Sequence, residues 1–144
     1  MAWASSLHYG LGLSFGKCSA LLGRLGINVT AGALCAGSSS TSTNLVPTHL
    51  AIRAHVASAP AVTMDETEWC IGGEGAWLWV AATDDASLYD VARGRGFFEQ
   101  ATGLVPADYA GTIVRDGWVV YGSYEKAMHR TGAAHILRRC QEMI

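Results

Sequence analysis

The chain has 144 residues, half of them apolar, and a formal charge of −2, which allows one domain with a real core. Residues 1–60 carry Lys17, Arg24 and Arg53 and no acid, whereas residues 61–144 hold all twelve acids against seven bases, so the total neither supports nor excludes a nucleic-acid partner. The longest strongly apolar stretch, Ala76–Ala82, is too short to span a bilayer, and no base precedes Lys17 to open a signal peptide, so a cytoplasmic protein without a membrane partner is expected.

In chain order, Cys18, Leu21, Leu22 and Leu25 fall at i, i+3, i+4 and i+7, one apolar helix stripe, and Gly26 is placed to end that helix. Asn28 or Thr30 then caps a second short helix through Leu34, giving the outline of a helix-turn-helix. The Gly, Ser, Thr and Asn run at Gly37–Asn44 has poor helix propensity and reads as a loop or a frayed helix. Pro47 suits the first turn of a helix over Val46–Ser58, and Pro60 closes this helical arm of residues 1–60.

From Ala61 the pattern becomes that of a sheet. Ala61–Ile71 reads as a strand, Gly72-Gly73-Glu74-Gly75 as a hairpin turn and Ala76–Thr83 as a second strand. Asp84-Asp85 turns into a third, Ser87–Ala92. A short helix over Gly96–Thr102, a central strand at Gly111–Arg115, a helical Trp118–Lys126 and a fifth strand at Ala127–Thr131 follow. The last segment is an amphipathic helix with Ile136, Leu137, Cys140, Met143 and Ile144 on one side and His135, Arg138, Arg139 and Glu142 on the other. Three antiparallel strands, then helix, strand, helix and strand, predict an α/β fold with an RNase H-like mixed sheet over residues 61–144.

Two acidic motifs, Asp65-Glu66-Thr67 and Asp116-Gly117, each follow an apolar strand and lie fifty-one positions apart. Carboxylates at the ends of neighbouring strands can hold divalent metal for phosphoryl transfer, while Asp before Gly is also an ordinary turn former. Glu66 and Glu68 read as solvated neighbours, and Trp69, Trp77 and Trp79 as core or sheet-face packing. The cysteines, Cys18, Cys35, Cys70 and Cys140, are widely spaced and read as small buried thiols without a disulfide or metal cluster. Lys126, Arg130, Arg138 and Arg139 form the one dense basic cluster, suited either to phosphate contact or to a solvated helix face.

Residues from about 7 to 144 resemble transposases of the insertion sequence 66 family. The matching stretches are His8-Tyr9-Gly10-Leu11, Asp65-Glu66-Thr67, Ala76-Trp77-Leu78-Trp79-Val80, Asp116-Gly117-Trp118 with Tyr121, and Ala134-His135-Ile136-Leu137-Arg138-Arg139. The resemblance implies a DDE catalytic domain over residues 61–144, with Asp65 and Asp116 as the first two catalytic aspartates. It also implies Mg2+ or Mn2+ as cofactor, DNA at transposon ends as partner, and no small-molecule substrate. Two metals about 4 Å apart would stabilise the attacking and leaving oxygens of a phosphodiester.

The chain departs from the family pattern in three places. No counterpart of the third acid stands before Ile144, Gly132 occupies a position where the family has a cysteine, and the arm is rich in glycine at about 1 kcal/mol per helical glycine. These departures lead to the expectation of a truncated or decaying copy. Glu142 lies where compact RNase H-like nucleases place their third acid, but it shares a face with Arg138 and Arg139, where an ion pair is the plainer role. The alternative to a transposase is a non-catalytic DNA-binding or assembly remnant that uses residues 13–36 and self-associates with intact transposase.

Overall fold

The computed structural model describes residues 2–96 and 101–143. The chain forms two compact units, Met1–Thr48 and His49–Ile144. Among the described residues no helix is long and apolar enough to cross a membrane.

The first unit is helical. A short helix α1 (Ala2–Ser5) runs into a π-helical turn at Ser6–Gly10, followed by α2 (Phe15–Arg24) and α3 (Ala31–Asn44). The Ser14 hydroxyl accepts from the Lys17 N–H at 3.3 Å and the Thr30 hydroxyl from the Ala33 N–H at 3.1 Å, so each helix opens on a hydroxyl cap. Gly26, at φ 81°, closes α2 in a conformation that a side chain would strain. Ala4, Cys18, Leu22 and Leu34 form the core, whereas Leu21 and Leu25 from the same stripe are exposed.

Of the two readings of Gly37–Asn44, loop or frayed helix, the helical one holds, and α3 runs through the segment without a break. Its hydroxyls turn inward: Thr41 Oγ1 donates to the Gly37 carbonyl at 2.8 Å and Ser42 Oγ to that of Ser39 at 2.7 Å. These back-bonds satisfy side chains that would otherwise compete with the helix.

The second unit is an α/β structure built on one five-stranded mixed sheet. Helix α4 (Val46–Ser58) belongs to it from His49 onward and is followed by β1 (Ala61–Ile71), β2 (Glu74–Ala82) and β3 (Ser87–Ala92). A short helix α5 (Thr102–Leu104), β4 (Thr112–Arg115), a 3-10 helix (Val119–Ser123), β5 (Met128–Thr131) and α6 (Ala133–Glu142) complete it. Four residues of the helix expected over Gly96–Thr102, residues 97–100, lie outside the described residues. The strand order is β3-β2-β1-β4-β5: the first three strands are antiparallel, β4 runs parallel to β1, and β5 runs parallel to β4.

The hairpin turn is shorter than expected. Ile71 pairs with Glu74 and Cys70 with Gly75, so only Gly72 and Gly73 turn, at φ 62° and 88°. Two central residues with positive φ match the twist of the strands they join.

Alternation along β1 buries Val62 and Met64, which join Trp79, Ala81, Leu88, Ile113 and Val56 in the core. Leu104, Val105, Tyr109, Tyr121 and Tyr124 complete that core. The hydroxyls of Tyr109 and Tyr124 donate to the carbonyls of Ala59 at 2.7 Å and Val105 at 2.9 Å, so neither phenol enters the core unpaired.

Two expectations about packing need correction. Cys35, Cys70 and Cys140 are exposed and only Cys18 is buried. Trp79 is fully buried, but Trp69, near the tip of the hairpin, is half exposed. The expected amphipathic helix is α6, and Ile136, Leu137 and Met143 on its apolar side are exposed.

Candidate functional site

Asp65 lies in the middle of β1 rather than at its end, and Asp116 is the first residue after β4. The β1–β4 ladder pairs Ala61 with Thr112, Val62 with Ile113 and Thr63 with Val114, an offset of fifty-one throughout. Asp65 and Asp116 keep that offset two positions beyond the last paired residues, Thr63 and Val114. Val62 and Ile113 face the core, so Asp65 and Asp116 fall on the opposite face with Thr63 and Val114. There Asp65 edges a shallow groove of about 160 Å³ lined by Glu66, Thr67, Leu78, Val80 and Tyr89.

Each carboxylate is anchored by a backbone amide. Asp65 Oδ1 accepts from the Glu66 N–H at 3.0 Å, and Asp116 Oδ1 from the Trp118 N–H at 2.7 Å. Among the described residues neither forms an ion pair. No group of three or more His, Cys, Asp or Glu gathers among the described residues. Two carboxylates without an ion-pair partner nevertheless fit a hard cation of the Mg2+ kind, which takes one or two protein carboxylates and fills its other positions with water and phosphate oxygens.

Glu66 is not a solvated neighbour. Its side chain is 1% exposed, and it points to the core face, where it pairs with Arg95. Arg95 Nε donates to Glu66 Oε1 at 2.9 Å, with Nη2 on the same oxygen, and the Tyr121 hydroxyl donates to Oε2. The Arg95 guanidinium also lies between two indoles, 3.8 Å from the Trp118 ring centroid and 4.5 Å from that of Trp77. Trp79 Nε1 donates to the Gly94 carbonyl at 3.4 Å and so ties the loop that presents Arg95. Burial first, then the hydrogen bond to Glu66 and the charges of Glu66, Asp65 and Asp116, hold the Tyr121 hydroxyl far above the usual tyrosine range.

The basic residues are spread over several elements. Arg130 on β5 pairs in register with Val114 and so falls on the face of Asp65 and Asp116. The Arg139 guanidinium from α6 lies against Gly117, in space that any Cβ there would fill. Lys126 is exposed in the turn before β5, and Arg138 is exposed on α6. Glu142, exposed near the end of α6, forms no ion pair with Arg138 or Arg139.

The family described as Transposase IS66 family matches residues 1–144, the whole length of the chain. The chain belongs to the IS66 transposase family. No curated protein and no solved structure matches it significantly.

In this IS66 family member, sequence reasoning missed Arg95 and misplaced Glu66. Arg93, Gly94 and Arg95 carry no recognisable motif, and Glu66 and Glu68 read alike as solvated neighbours of Asp65. The available signal was the alternation of Val62, Met64 and Glu66, which sends the third of them inward with the other two.

Proposed function

We propose that this transposase family member carries a DDE-type centre in which Asp65 and Asp116 hold Mg2+ or Mn2+ and direct cleavage and joining of DNA at transposon ends. The reading is carried by the shared offset of fifty-one: β1 and β4 pair in that register, and Asp65 and Asp116 keep it two positions past the last pair, neither in an ion pair among the described residues. The strand order β3-β2-β1-β4-β5, with β4 and β5 parallel to β1, supports an RNase H-like sheet. Residues 61–144 then form the catalytic part and residues 1–60 the helical arm, in a protein that works in the cytoplasm.

Asp65 and Asp116 would hold a divalent cation that would supply Lewis-acid stabilisation to the oxygens of a phosphodiester. The chain's own residues prepare that chemistry. The Glu66 and Trp118 amides each occupy one carboxylate oxygen and leave the other to a ligand. Arg130 and Arg139 supply positive charge near the acidic pair for the DNA backbone, and Lys126 and Arg138 extend it. Such contacts orient a duplex without reading its sequence.

The test is Mn2+-dependent nicking of a supercoiled plasmid. Weak nicking by the wild-type chain that both Asp65→Asn and Asp116→Asn abolish is the expected result. Nicking that persists undiminished in both variants would overturn the assignment.

A further inference from the structure

Both carboxylates are tied to one buried stack. Asp65 accepts from the amide of Glu66, Glu66 binds Arg95, Arg95 lies over Trp118, and the Trp118 amide donates to Asp116. The path from one acid to the other therefore runs through a carboxylate that is 1% exposed and a guanidinium held between two indoles. Tyr121, fully buried, braces the same carboxylate from the other oxygen.

The sheet alone cannot do this. The β1–β4 ladder stops at Thr63 and Val114, and Asp116 lies past the end of β4. Among the described residues the Asp116 side chain is fixed to the backbone of Trp118 alone, so Asp116 goes where Trp118 goes. The Trp118 indole is in turn held by Arg95, and Arg95 by Glu66 on the strand that carries Asp65. An arginine suits the middle position, because a planar guanidinium can stack on aromatic faces and donate in its plane at once.

We propose that Glu66, Arg95 and Trp118 form a positioning strut that holds Asp116 level with Asp65 before any cation or DNA arrives. The proposal rests on the reading of Asp65 and Asp116 as the metal pair. These three are positioning residues, since they act on the ligand through the two aspartates.

The test compares Trp118→Leu, Trp118→Phe and Arg95→Lys with the wild-type full chain. It uses amide hydrogen exchange in metal-free buffer and Mn2+ titration by calorimetry. In Trp118→Leu the residue-118 amide should exchange about tenfold faster while Val80 and Ala81 in β2 are unchanged, a local loosening rather than a global one. Mn2+ affinity should fall about tenfold, the usual scale for losing a group that orients a ligand. Trp118→Phe, which keeps a ring over Arg95, should stay within about threefold of wild type on both readouts.

Arg95→Lys keeps the charge beside Glu66 but loses the plane, and should loosen the same amide; it carries the test if Trp118→Leu does not fold. Unchanged exchange at residue 118 in folded Trp118→Leu or Arg95→Lys would overturn the strut, as would equal acceleration of the β2 amides. If the amide responds but the wild-type chain binds no Mn2+, the strut stands and the metal reading of the two aspartates fails.

Discussion

The Tyr121 hydroxyl donates to the Glu66 carboxylate inside the core of the second unit, and the phenol buried there helps set an alkaline limit for the protein. Burial first, then the bond to Glu66 and the charges of Glu66, Asp65 and Asp116, raise its pKa. The folded state keeps a proton that the unfolded chain releases near pH 10. Stability is therefore complete below about pH 10 and declines as pH rises beyond it. Urea midpoints measured from pH 8 to 11 should show the fall. Tyr121→Phe should flatten it in part, because burial raises Tyr124 as well and leaves its share of the slope.

Tyr121→Phe also strips Glu66 Oε2 of its donor. A cost of about 1–3 kcal/mol at neutral pH follows from leaving a buried acceptor unsatisfied, and urea denaturation reads it directly.

Arg95→Met should cost more. It leaves a carboxylate whose side chain is 1% exposed without its cation. The expected loss is about 3 kcal/mol, the low end for a broken buried pair because Arg95 itself is partly open to water. Adding Glu66→Leu should recover part of that loss, and equilibrium unfolding of the two singles and the double measures how much.

The β1–β2 turn offers the opposite sign. Gly72 has φ 62°, which asparagine tolerates, so Gly72→Asn should stabilise by about 0.5 kcal/mol by restricting the unfolded chain. Gly73→Val, at φ 88°, should instead destabilise by about 1–3 kcal/mol. Thermal melts of the two variants separate these outcomes.

If DNA crosses the acidic pair, Arg130→Ala and Arg139→Ala should each weaken binding to all sequences alike. Each should also lower the slope of log affinity against log salt by about one. Fluorescence anisotropy at three or four salt concentrations is sufficient to read that slope.

Much of the sheet could be anticipated because its local signals agree with its long-range ones. The strand over Ala61–Ile71, the strand over Ser87–Ala92 and the helix over Val46–Ser58 occupy the expected residues. Asp65 and Asp116 stood out because acids directly after apolar runs are chemically conspicuous. The start of α3 after Thr30 was legible, but its continuation through Gly37–Asn44 was not, because propensity cannot register hydroxyls that bond back to their own helix. The Glu66–Arg95 pair was hidden because its members are separated by twenty-nine positions and one of them sits in a glycine-flanked loop. A buried ion pair of this kind is a property of the fold, and no local window contains it.

The hairpin of β1 and β2 outruns the rest of the sheet. Past Thr63, β1 is paired only with β2, so the flank once lined by β4 has no strand partner among the described residues. A bare strand flank invites another polypeptide to zip onto it, and proteins discourage this with charge. Here the bare stretch carries Asp65 and Glu68. The acids of this strand thus carry a protective role along with any chemical one: neutralising them would turn a repelling seam into an adhesive one, and an Asp65→Asn variant made to silence the centre should also be more prone to aggregate.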